Sequence, residues 1–132
     1  MRLIKPYLII MVLVWLPWGL TCIFNPGRIT EVIGVTGINP TGITDMRVMY
    51  GGVQTAVGLM AAFALFNKTY LQHSLFALAF LGSSMALSRG YGMIIDDSAT
   101  FYNWGVLCFE AFVGISAIAW LRVLSRLDTE TL

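Results

Sequence analysis

Four stretches of the sequence, at about 7–24, 46–66, 74–89 and 100–121, stay apolar long enough to cross a bilayer, and this restricts the fold before any motif is read. Hydrocarbon offers no partner to a backbone N–H or C=O, so each stretch has to be a helix. The 132 residues are 58% hydrophobic and only 11% charged, whereas soluble proteins carry about a quarter of their residues charged. The expected fold is all-α: one integral membrane domain over 1–132, an antiparallel four-helix bundle with a short interfacial helix between the first and second spans. The 8 basic and 7 acidic residues nearly cancel and form no run. The lipid bilayer is therefore the expected partner, and no nucleic acid is.

The first span follows Arg2 and Lys5 and contains Pro17, which should kink it. A basic start before an apolar run also fits a signal peptide, but no small-x-small cleavage pattern follows, and Trp15 and Trp18 suit a retained helix. From Asn25 to Thr44 the chain turns rich in Gly, Pro and Thr. Asn25-Pro26 opens a short helix that Gly34 ends, with Ile29, Val32 and Ile33 on one face, as in a helix lying at the interface. The second span is expected from about residue 46, with Thr44 as cap. Asn67, Lys68, Gln72 and His73 form a polar connection to the third span. Gly90, Tyr91 and Gly92 should break that span after Arg89, and Asp96, Asp97 and Ser98 make an exposed turn.

Lys and Arg set the orientation. Arg2, Lys5, Lys68, Arg122 and Arg126 fall on one side, against Arg28, Arg47 and Arg89 on the other, so both termini should be cytoplasmic. Cys22 and Cys108 both fall towards the outer side. One bridge is open to them, although two small apolar residues is the favoured reading.

Glu110 is the least expected residue, about ten positions into the fourth span. A charge at the centre of a span costs about 2.5 to 3.5 kcal/mol on insertion scales, so this carboxylate needs a proton, water or a partner inside the bundle. Arg47 and Arg89 are the natural partners, since the arginine fork suits two-point contact with a carboxylate. At 100° per residue Arg47, Gly51, Gln54 and Gly58 share one helix face. The expected site is a polar cluster of Arg47, Gln54, Arg89, Asn103 and Glu110, with Tyr50 beside it and Ser83, Ser84 and Ser88 nearby.

Such a cluster can fix helix register, bind a ligand, or carry protons or ions. The sequence favours a non-enzymatic protein whose outer-half polar pocket takes a lipid-like or amphipathic molecule, or docks a partner subunit or a second copy of the chain. An alternative is a membrane enzyme acting on an isoprenoid, sterol-like or quinone substrate with Glu110 as acid or base. Another is a purely structural accessory subunit. His73 is the single histidine and falls in a polar connection, so neither a metal site nor a haem is expected, and no cofactor motif is present.

Arg47 with Met49-Tyr50-Gly51-Gly52, Ser88-Arg89-Gly90, Asp96-Asp97 and Glu110 resemble a family of small four-helix bacterial membrane proteins catalogued as a domain of unknown function. The chain is also distantly similar to DoxX-like proteins. The resemblance implies the fold, a bacterial inner membrane, and Arg47, Arg89 and Glu110 as a set; it implies no activity. In one place the chain departs from that pattern, having Asp97 followed by Ser98 where an acidic residue and a glycine are expected.

Overall fold

The computed structural model describes residues 3–130, with side chains to residue 126. Arg2, used in the orientation reading, lies outside the described residues. Among the described residues there are five helices and no strand. They are α1 Ile4–Phe24, α2 Gly27–Ile33, α3 Pro40–Phe66, α4 Thr69–Ile95 and α5 Phe101–Glu130. Four of them, α1, α3, α4 and Phe101–Arg126 of α5, are long and apolar enough to cross a membrane. Leu13, Phe63, Phe80 and Ile115 are all more than half exposed. Such side chains would be a hazard in water and are ordinary against lipid.

The chain divides into two compact units, residues 1–71 and 72–132. In the first, α1 and α3 pack through glycine. A Cβ on Gly58 would lie 2.7 Å from the Leu16 nitrogen, one on Gly19 2.5 Å from that of Thr55, and one on Gly51 2.9 Å from that of Ile23. Positions 16, 19 and 23 thus meet 58, 55 and 51, so the two helices run in opposite directions. Pro17 does not end α1, which continues to Phe24. Next comes α2, closed as expected by Gly34 in the left-handed region. It buries Ile29 against Cys22 and Met46, with Trp18, Ile33, Val35 and Tyr50 around them. Val32, expected on the same face, is instead nearly half exposed.

The second spanning helix starts earlier than the sequence implied. Asn39, not Thr44, is the cap: its Oδ1 accepts from the Gly42 amide at 2.8 Å, and Pro40 occupies the first turn, where its missing N–H costs nothing. Thr44 instead returns its hydroxyl to the Pro40 carbonyl. Within α3 the turn Arg47–Gly52 is π-helical, between α-helical Pro40–Met46 and Val53–Phe66. A π turn holds an extra residue, so a stripe drawn at 100° per residue does not pass unchanged from Arg47 to Gln54.

In the second unit α4 and α5 also cross at glycine. A Cβ on Gly82 would sit 2.7 Å from the Gly114 nitrogen, and one on Gly114 2.8 Å from the Ser83 nitrogen. Both ends of α4 correct the sequence reading. The connection before it is only Asn67 and Lys68, because Asn67 Oδ1 accepts the Thr69 amide at 2.9 Å and starts the helix there; Gln72 and His73 are helical. At the other end α4 runs through Gly90 and Gly92 to Ile95. A helix packed by its neighbours tolerates the cost of about 1 kcal/mol that an isolated glycine imposes.

α4 stops two turns later than expected, by a turn of the Schellman type. The Ser98 amide donates to the Met93 carbonyl at 3.2 Å, while Asp97 takes a left-handed conformation at φ 46°. The motif favours glycine at that residue, and Asp97 holds it despite its Cβ. The departure noted in the sequence, Ser98 where a glycine is expected, falls one residue after this strained position. Replacing Asp97 by glycine is expected to raise the unfolding free energy by about 1 kcal/mol, measured by denaturation in detergent micelles; a loss of stability would show that the carboxylate has a role that outweighs the strain.

Candidate functional site

The extension of α4 puts Arg89 inside a helix, not at its end. From there it meets Glu110 side by side: Arg89 Nε donates to Oε2 and Nη2 to Oε1, each at 2.8 Å. This is the fork-on-carboxylate pairing, roughly twice as strong per bond as a neutral contact. Glu110 is 1% exposed and the Arg89 side chain 25%.

Asn103 extends the cluster. Its Oδ1 accepts from Arg89 Nη1 at 3.1 Å, and its Nδ2 donates to the Ser98 carbonyl at 2.8 Å. Asn103 is held by its place in the first turn of α5, where its amide donates to the capping hydroxyl of Thr100 at 3.2 Å. A continuous path of hydrogen bonds thus runs from Glu110 on α5, through Arg89 on α4, to the loop joining the two helices. Ser98 and Thr100 are the members that sequence reasoning missed. Ser98 contributes only a backbone carbonyl, which no side-chain pattern announces, whereas Thr100 three residues before Asn103 is a legible cap spacing.

The other three candidates lie in the first unit. Arg47 Nη1 donates to the Ile23 carbonyl, in the last turn of α1, where helical carbonyls have no partner of their own. Arg47 is partly buried and, among the described residues, has no carboxylate in ion-pair range. Tyr50 packs on the Cys22, Ile29 and Met46 cluster. Gln54 is half-buried, its backbone against Gly19. Both cysteines are free thiols, Cys22 buried and Cys108 exposed.

An open apolar groove of about 460 Å³ runs along the second unit between Phe76, Phe80, Leu87 and Ile118. Ser83 and Ser84, expected near the polar cluster, line it, but none of the six candidate residues does.

The two arginines therefore differ in chemistry. Arg89 is neutralised by a carboxylate within its own unit. Arg47 donates to a neutral carbonyl and, among the described residues, has no carboxylate partner.

Comparison with curated proteins and with solved structures finds no match. Residues 3–121, nine-tenths of the chain, match the family described as a domain of unknown function, DUF4345. Arg47, Arg89, Asn103 and Glu110 all fall within the matched span, and the chain belongs to that family.

Proposed function

We propose that this chain is a small, non-enzymatic four-helix membrane protein that holds an amphipathic, lipid-like molecule, with Arg47 at the head and apolar helix faces along the tail. In this reading the four spans form one antiparallel bundle with both termini cytoplasmic, in a bacterial inner membrane. α2 lies at the outer interface. A partner subunit whose polar group reaches Arg47 is the protein-docking form of the same proposal.

The observation that carries it is the contrast between the arginines. A partly buried guanidinium in an apolar chain is costly unless something offsets its charge. Glu110 does so for Arg89, and among the described residues no carboxylate does so for Arg47. Phe24, Val48 and Met49, within two positions of the bonded residues Ile23 and Arg47, are exposed and apolar. They suit a hydrocarbon tail below a polar head. The enzymatic alternative loses support, because both oxygens of its acid or base, Glu110, are bonded to Arg89.

Native mass spectrometry of the protein, released gently from its own membrane, tests the proposal. The unaltered chain is expected to carry a bound small molecule, and Arg47→Met to lose it. If the unaltered chain flies free of any adduct, the proposal fails.

A further inference from the structure

We infer that the group taken at Arg47 is an oxyanion, the phosphate or carboxylate of a headgroup; this rests on the reading above that Arg47 receives the polar head. In the structure the guanidinium is engaged by one neutral oxygen, the Ile23 carbonyl. That oxygen belongs to the carbonyl end of a 21-residue helix, where the backbone dipoles sum to about half a negative charge. The helix end offsets part of the arginine charge and leaves the rest.

A ligand shifts this arrangement only if it offers Arg47 more than the Ile23 carbonyl already does. A neutral ester or ketone head exchanges one carbonyl for another and offers nothing further. An oxyanion brings a full charge and two acceptor oxygens that match the guanidinium fork, with bonds roughly twice as strong as neutral ones. The differential therefore selects for charge on the ligand.

The local backbone supports a preformed site. Arg47 opens the π-helical turn, and Gly51 in that turn comes so close to α1 that a Cβ there would lie 2.5 Å from Ile23 Cγ1. Guanidinium and backbone thus converge on the same residue, and the charge is fixed beside α1 instead of swinging free on a long side chain. Arg28, the other arginine of this unit among the described residues, is already paired with Glu31 at 2.6 Å. It makes a suitable control.

The test uses full-length protein in detergent micelles, titrated with phosphatidylglycerol, with diacylglycerol of the same acyl chains and with inorganic phosphate, bound species being counted by native mass spectrometry. Phosphatidylglycerol is expected to bind at least about tenfold more tightly than diacylglycerol. That preference should vanish in Arg47→Met, survive in weakened form in Arg47→Lys, and be unchanged in Arg28→Gln. Inorganic phosphate that competes only weakly assigns the oxyanion to a lipid headgroup and supports the inference; full competition at equal concentration keeps the oxyanion but assigns it to a soluble anion, which overturns the headgroup and the lipid-holding reading with it.

Equal binding of phosphatidylglycerol and diacylglycerol by the unaltered chain would overturn the inference while leaving the lipid-holding function intact. No binding of any probe, together with an adduct-free protein from its own membrane, would overturn both. Should Arg47→Met fail to fold, the lipid preference of the unaltered chain and its Arg47→Lys variant still decides.

Discussion

Arg89→Met is expected to lower the unfolding free energy by about 3–5 kcal/mol, the range found when one partner of a buried ion pair is removed. The carboxylate left behind is 1% exposed, so water cannot replace the guanidinium without opening the α4–α5 contact. Asn103 would lose an acceptor role at the same time, and its tie to Ser98 would hold a loop no longer joined to Glu110. Replacing both partners, Arg89→Met with Glu110→Leu, should recover most of the loss, since well-packed apolar side chains do about as well as a buried pair. Equilibrium unfolding in mixed micelles across the double-mutant cycle measures both effects. A small loss for Arg89→Met would mean that Glu110 is already served by something other than Arg89.

The second large effect is expected at the α1–α3 seam. Gly58→Ala places a methyl 2.7 Å from the nitrogen and 2.8 Å from the Cα of Leu16. Those are backbone atoms and cannot rotate aside, so the helices must separate, at a cost of about 2 kcal/mol. Close approach of this kind is what lets helices associate in lipid, where the hydrophobic effect gives no drive between them. Gly90→Ala is the internal contrast. It lies within α4 with nothing inside 4 Å of an added Cβ, and should gain about 0.5–1 kcal/mol from helix propensity. If both substitutions changed stability in the same direction, the seam would not be held by close packing.

Much of the fold was legible because membrane helices announce themselves by length and hydropathy. All four apolar stretches proved helical, and Gly34 ended α2 as its type predicts. Helix ends were harder to read, for a consistent reason. Gly90 and Gly92 are breakers by propensity, yet the packed helix α4 carries them to Ile95; His73 and Gln72 look like loop residues, yet Asn67 starts the helix before them. Local polarity marks where a helix can stop, whereas capping and packing decide where it does.

Within the candidate site, Arg89, Asn103 and Glu110 were legible as a group because a carboxylate deep in an apolar span demands a partner. What the glycines concealed is that α4 continues past Arg89 to Ile95. The π-helical turn at Arg47–Gly52 could not be read from the sequence, because its Gly-Gly and neighbouring apolar residues fit an ordinary helix equally well. That turn alters the phase assumed for Arg47 and Gln54, and it accompanies the contact of Arg47 with the end of α1.

The proposed function divides the work between two arginines, one joining helices and one receiving a ligand. The most direct test counts the bound molecule in two variants side by side, Arg47→Met and the doubly substituted Arg89→Met with Glu110→Leu, each released from its own membrane and weighed intact. Arg47→Met is expected to fold and lose the molecule, while the double variant folds and keeps it. Retention by Arg47→Met with loss from the double variant would contradict that division and place the ligand at the Arg89 cluster.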